Sequence, residues 1–257
     1  MINLVLIGSG AWGKNYINTL SQFPEVNLTV AHRNNWEQII RQGCDGAMIC
    51  TPPSSHIEIA NYCLSYGIPT MIEKPVALSS AELNKISHYW VPILVNHIHL
   101  FSDSYQQIKE SFAPIIGIES FGSNRGPIRS YSSLWDYGPH DVSMILDLLN
   151  SSPTEIRASC QTNDIGQLFD LEMKFQEIRT FSRVGNGSEK KNRLLKVHFD
   201  GFSLHYSDQP HDRPLTEALK VFVAAIHGKP DRRLGLDLAY QVTKVLEQFE
   251  KLCNKPA

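Results

Sequence analysis

Along the first half of the chain, short apolar runs alternate with longer amphipathic ones. Runs at about residues 2–8, 27–32, 45–50, 68–72 and 92–96 predict strands. Between them, apolar residues recur at helical spacing over about 11–22, 35–42, 55–66 and 80–89, and Ser79 and Glu82 stand in capping-box spacing at the last of these. Strand and helix in alternation define βαβ units, hence one doubly wound parallel sheet. Right-handed crossovers put the carboxyl ends of its strands along one edge, where such sheets bind ligands. Beyond residue 115 the period changes. Alternating stretches at 116–122, 154–161, 168–175, 178–184, 193–199 and 202–206 are broken by Gly185-Asn186-Gly187 and by Asp200-Gly201, a hairpin signal. Helices are expected at Pro139–Leu149, Thr216–Ile226 and Leu236–Leu252, which makes this half an α+β domain with a mostly antiparallel sheet. Two domains are therefore expected, 1–115 and 116–257.

Composition narrows the function classes. With 257 residues and 42% hydrophobic composition the chain can bury a sizeable core, and 24 Lys+Arg against 26 Asp+Glu leave a net charge of -2. Without a basic run there is no electrostatic footprint for nucleic acid or an anionic membrane, so the partner expected is a small molecule. The five cysteines form no CxxC pair, which argues against a disulfide framework and a zinc cage and makes a reducing cytoplasm the default. No metal is expected. The first residues run directly into a strand without a basic leader, and no apolar stretch reaches the roughly 18 residues of a membrane span.

Chemistry first appears at Gly8-Ser9-Gly10-Ala11-Trp12-Gly13, between the first strand and the first helix. The first glycine permits a tight turn, the second lets the backbone approach a pyrophosphate, and the third allows close helix-to-strand packing. The helix start supplies N–H donors and positive dipole. This context makes residues 1–115 a Rossmann domain, with Gly8, Gly10, Ala11, Trp12 and Gly13 as cofactor contacts. NAD-binding units commonly end the second strand on a carboxylate that binds the ribose hydroxyls. Here the strand ends Ala31-His32-Arg33-Asn34. Arg33 can pair with a 2′-phosphate where a carboxylate would repel it, so His32 and Arg33 favour NADP over NAD. A solvated loop role for Arg33 competes with that reading.

Thr51-Pro52-Pro53-Ser54-Ser55-His56 follows the third strand, and Glu73-Lys74-Pro75 follows the fourth. With the glycine turn, Val95-Asn96-His97 and Asp136-Tyr137-Gly138-Pro139-His140-Asp141, they occur in an order that resembles the glucose-fructose oxidoreductase/inositol dehydrogenase (Gfo/Idh/MocA) family over nearly the whole chain. Arg233 to Tyr240 resembles the start of the family's closing helix. The resemblance implies an NAD(P)-dependent oxidoreductase acting on a sugar, cyclitol or sugar-nucleotide alcohol or ketone. It places Lys74, Asp136 and His140 around the carbon that exchanges hydride with the nicotinamide, and Thr51, Pro52, His56, Glu73 and Lys74 beside the cofactor. Asn96, His97, Arg125, Tyr131 and Trp135 are expected on the substrate side.

The chemistry is coherent, because oxidising a hydroxyl needs a base and imidazole titrates near neutrality. His140 fits that role, Asp136 can orient its ring, and Lys74 can stabilise charge on the substrate oxygen or itself carry the proton. Structural readings compete: a helix-start histidine, a capping aspartate, and a lysine paired with Glu73. His88, His198, His205, His211 and His227 are expected at the surface, and His99 is a weaker cleft candidate. Against the family pattern, the stretch between the second and third strands is short, which trims one edge of the sheet. Imine or double-bond reduction and a noncatalytic dinucleotide-binding regulator are the alternative functions. The resemblance also implies a homodimer or homotetramer formed through the C-terminal sheet.

Overall fold

In the computed structural model, which describes residues 1–208 and 212–254, five strands build a wholly parallel sheet. They are β1 (Ile2–Ile7), β2 (Val26–Ala31), β3 (Gly46–Ile49), β4 (Thr70–Glu73) and β5 (Ile93–Asn96), in the order β2-β1-β3-β4-β5. The connections carry α1 (Ala11–Leu20), α2 (Trp36–Gln42), α3 (His56–Ser65) and α4 (Ser80–Leu83). All of β3 and β4 is buried, as in a parallel sheet covered on both faces. One face packs Val5, Ile7 and Ile49 with Ile40, Ala60, Cys63 and Leu64 of α2 and α3. On the other, α7 (Pro214–Ile226) comes so close to β3 that a Cβ on Gly46 would lie 2.9 Å from the Phe222 ring. Glycine there is what lets the helix seat. At the edge expected to be trimmed, β2 is the outer strand, and along the chain the seven-residue α2 is the one helix between β2 and β3.

The helix expected over 80–89 is α-helical only to Leu83. Ser79 caps it by accepting from the Ala81 N–H, and beyond Asn84 the chain tightens into turns such as Lys85 N–H to Glu82 O and Ile86 N–H to Leu83 O. Three-residue closure keeps Leu83 and Ile86 both buried without a regular helix.

A second sheet has six strands, β6 (Ile115–Ser123), β7 (Glu155–Thr162), β8 (Gln167–Phe175), β9 (Ile178–Gly185), β10 (Asn192–Phe199) and β11 (Phe202–Ser207), in the order β11-β10-β6-β9-β8-β7. Every neighbouring pair is antiparallel except β6 with β9. Asp200-Gly201 makes the expected hairpin, with Phe199 opposite Phe202 and Gly201 at φ +81°. One face is covered by α6 (Ser133–Leu149), which packs on β6, β8 and β9. The opposite face carries facing charges: Arg157 lies opposite Glu172, Asp170 opposite Arg183, and Lys196 opposite Glu119.

α6 begins six residues before the expected Pro139. Ser132 caps it, its hydroxyl accepting from the Leu134 N–H at 3.2 Å. Pro139 lies inside, where its missing N–H removes only the bond to Trp135 O. α5 (Asp103–Lys109), a short helix, was not foreseen; α8 (Leu236–Cys253) was. The compact units are not consecutive in sequence. One comprises Met1–Asn96 with Leu215–Tyr240, and the other comprises His97–Pro214 with the chain from Gln241 onward. A linear split at residue 115 does not follow this packing. α5 packs on β11, and the segment after Pro214 returns to cover the parallel sheet. Among the described residues, no helix is long and apolar enough to cross a membrane.

Candidate active site

In the first unit, the three glycines of the β1–α1 turn meet different surroundings. Gly8 has φ +101°, and a Cβ there would lie 2.8 Å from the Cys50 carbonyl group. A Cβ on Gly13 would lie 2.2 Å from Gly8 O, so this glycine closes the helix onto the turn. Nothing stands within 4 Å of a Cβ on Gly10. Protein packing thus explains the first and third glycines and leaves the second open. Gly10 is also the N-cap of α1, without a side-chain cap, and Ala11 and Trp12 are exposed beside it. The first-turn N–H groups are accordingly left for an anion, which is the fit a dinucleotide pyrophosphate requires.

At the end of β2 the His32 N–H is held by Asn35 Oδ1 at 2.7 Å, and His32 and Arg33 are exposed. After β3, Ser55 Oγ donates to Thr51 Oγ1 at 2.8 Å and to Pro52 O at 2.9 Å, shaping the turn into α3. His56, expected beside the cofactor, is buried instead. Its ring lies between two carbonyls, Nε2 at 2.7 Å from Thr51 O and Nδ1 at 3.0 Å from Pro75 O. Burial pushes the imidazole below its usual value, against the pull of those carbonyls. His56 therefore ties the turn after β3 to the turn after β4.

Glu73 is likewise not at the surface of a cleft. Its Oε1 accepts from Tyr16 Oη and from Asn96 Nδ2, both at 2.6 Å, and Oε2 accepts from the Lys74 N–H at 3.1 Å. Asn96 Nδ2 also donates to Tyr16 Oη at 2.7 Å. Burial pushes Glu73 above the usual carboxylate value, opposed by these bonds and by one from Trp12. The cluster joins α1, β4 and β5 at the carboxyl edge of the sheet, and it leaves Asn96 Oδ1 buried with no partner among the described residues. Lys74 itself is half-buried at that edge. Tyr16 escaped the sequence reading, although its place with Gly13 and Leu20 on the buried stripe of α1 was visible in the helical spacing.

In the second unit, α6 presents Asp136 and His140 one turn apart. Asp136 Oδ2 takes a bond from Arg129 Nε at 3.3 Å, so Arg129 is committed to the helix. The His140 ring meets that of His99 edge to face, with centroids 4.4 Å apart. His99 Nδ1 lies 2.5 Å from Tyr206 Oη, which donates to Asp208 Oδ1 at 3.1 Å. Asp208 also pairs with Lys191 at 2.5 Å. Burial opposes ionisation of Asp208, but Lys191, His99 and Arg193 together take it below the usual value. Next to His140, Asp141 is fully buried against Arg193 at 2.7 Å. No periodicity could have paired Arg193, Tyr206 or His99 with α6, since the contacts join distant segments.

Of the expected substrate contacts, Trp135 is in the core, its indole N–H donating to Glu250 Oε1 at 2.9 Å. The early start of α6 is the reason, because it turns Trp135 onto α8. Asn96 belongs to the Glu73 cluster, and His97 is buried at the start of the second unit. Arg125 is exposed, and Tyr131 is half-buried, with burial and then Asp136 raising its phenol above the usual value. His88, His205 and His227 are exposed as expected, His198 is half-buried beside Ser203 and Glu119, and His211 lies outside the described residues.

A parallel sheet with a glycine turn under an uncapped helix start is the arrangement of a Rossmann-type dinucleotide-binding unit. Residues 21–90 match the family model described as an oxidoreductase family with an NAD-binding Rossmann fold. Over those residues the chain is similar to the Gfo/Idh/MocA family. A protein from Magnetospirillum magnetotacticum MS-1, described as an oxidoreductase, is 28% identical with TM-score 0.85, covering 98% of this chain and 99% of its own. UDP-N-acetylglucosamine 3-dehydrogenase from Acidithiobacillus ferrooxidans is 15% identical, TM-score 0.84, covering 98% and 97%. Scyllo-inositol dehydrogenase from Lactobacillus casei, solved with NAD(H) and scyllo-inositol, is 13% identical, TM-score 0.86, covering 98% and 97%. No curated protein sequence matches the chain.

Proposed function

We propose that the chain is an NAD(P)-dependent dehydrogenase that moves hydride between the nicotinamide ring and a sugar, cyclitol or sugar-nucleotide alcohol or the matching ketone. The observation that carries it is the uncapped start of α1 with open space over Gly10, on the same sheet edge as Lys74. The dinucleotide, when bound, supplies the hydride donor or acceptor. The N–H groups after Gly10 hold its pyrophosphate, and the cluster of Tyr16, Glu73 and Asn96 keeps α1 and the Lys74 turn in register. His140 takes the hydroxyl proton or returns it, Asp136 orients the imidazole, and Lys74 steadies negative charge on the substrate oxygen or shares the proton-carrying role. The inositol and UDP-sugar dehydrogenases among the structural neighbours support the substrate class.

NADP is the favoured cofactor, supported by exposed Arg33 at the end of β2 and by the absence of a carboxylate from Ala31 to Asn34. A cytoplasmic homo-oligomer joined through the uncovered face of the second sheet completes the proposal. Fluorescence titration with NADPH and NADH, then turnover with a panel of inositols, keto-sugars and UDP-sugars, tests it. The expected outcome is binding of NADPH ahead of NADH, and turnover that Lys74→Ala abolishes while dinucleotide affinity holds. Full activity in Lys74→Ala would sink the mechanism, and binding without turnover on any panel member would favour a regulator.

A further inference from the structure

A chain of polar groups leads from solvent to the ring beside His140, and it dictates where the protons lie. Asp208 is ionised, its carboxyl held below the usual value by Lys191 and Arg193 against the effect of burial, and it forms an ion pair with Lys191 at 2.5 Å. A carboxylate only accepts, so the single hydroxyl proton of Tyr206 points to Asp208 Oδ1, 3.1 Å away. The Tyr206 oxygen must then accept from His99 Nδ1, 2.5 Å away. Tyr206 is buried and its phenol pushed up by that burial, so it stays a neutral relay of hydrogen bonds. The hydrogen bond to Tyr206 therefore places a proton on His99 Nδ1, which in the neutral ring is the Nδ1–H tautomer.

We propose that Asp208, Tyr206 and His99 form a positioning chain for His140, one that sets the tautomer of His99 and holds the His140 ring plane through the edge-to-face contact at 4.4 Å. The inference rests on the proposal that His140 handles the substrate proton. A general base works only while its nitrogen is aimed at the proton it takes, so a neighbouring ring locked by a carboxylate-anchored chain protects that aim. The charged groups around the chain are Asp141 and His140 on α6, Arg193 on β10, Lys191 just before it, and Asp208 itself. Arg193 is bound to Asp141, and Lys191 to Asp208, so the cations lie on the carboxylate end.

The test is nitrogen-15 NMR of the full chain with labelled histidine at about pH 8, where unperturbed imidazoles are neutral. His99 is expected in the Nδ1–H form. In Asp208→Ala the Tyr206 proton has lost its acceptor and turns to His99 Nδ1, so the ring switches to the Nε2–H form. The Asp208 side chain is only partly buried, 40% exposed, which makes this variant compatible with folding. Tyr206→Phe provides a second break in the chain. With substrate, Asp208→Ala is expected to lower kcat about tenfold with KM unchanged, a part of the factor that a positioned base supplies. An Nε2–H His99 in the wild type, or an Asp208→Ala variant with unaltered tautomer and kcat, overturns the proposal. Full turnover in His140→Ala instead overturns the role of His140, and a His99 tautomer that still follows Asp208 would show that the hydrogen-bonded chain survives that failure.

Discussion

Single residues on the β1–α1 turn divide between packing and binding. Gly10→Ala introduces a methyl that meets no protein atom within 4 Å, at φ -64°, which alanine adopts freely. Its melting temperature is expected to stay near wild type while dinucleotide Kd rises at least about tenfold, equal to about 1.4 kcal/mol. Gly13→Ala drives its methyl into Gly8 O and should lose stability and binding together. Thermal melts beside fluorescence titration separate the two, and equal loss of stability in both variants would refute the distinction. His56 is expected to make stability pH-dependent. Its folded value is lowered by burial, so the unfolded chain takes up a proton first as pH falls below the usual 6.5. The contribution is present above that pH and is lost on acidification through the folded value. His56→Asn should therefore show a shallower fall of melting temperature below about pH 6.5. A slope identical to wild type would rule the effect out.

Between elements, a buried ion pair in the second unit joins Arg193 of β10 to Asp141 of α6. Asp141 is 0% exposed, and burial raises its carboxyl while Arg193 opposes the rise. Gly122 of β6 makes room for the pair, since a Cβ there would lie 2.4 Å from Asp141 Oδ2. Arg193→Met leaves a buried carboxylate without its cation and is expected to cost about 3–5 kcal/mol in urea unfolding. Adding Asp141→Leu should recover much of that loss, because removing both charges also removes the desolvation penalty. A single variant as stable as wild type would mean that water solvates Asp141. Elements were read well where one period held. β1 to β5 and β8 to β11 lie where apolar runs or alternation placed them, each within two residues at either end. Pro139 has the sequence character of a helix start, but α6 begins at Ser133 because Ser132 supplies the cap.

For the whole molecule, the uncovered face of the six-stranded sheet is the surface on which association is proposed. Glu119, Glu172, Arg179 and Lys174 line a groove of about 440 Å³ on it, beside Phe181. Facing charges of both signs suit pairing with a copy of the same face rotated by a two-fold axis. Sedimentation equilibrium is expected to show a dimer or tetramer, and a Lys174→Glu, Arg179→Glu double variant should shift it toward monomer. A monomeric wild type would reject the assembly.

The sequence by itself determined the two periods, the glycine turn and the order of motifs, because each depends on residues near one another along the chain. Helical and strand periodicity express local geometry, and a fingerprint between strand and helix states its own context. It could not decide which polar residues in those motifs meet solvent. Tertiary packing did that, burying Glu73 under Tyr16 and Asn96, turning His56 inward between two carbonyls, and placing Trp135 against α8. It also set His99 beside His140 and Tyr206 beside His99, from segments with no link in sequence. The physical reason is that a buried polar group must find partners wherever the fold brings them, and the search is over space rather than along the chain.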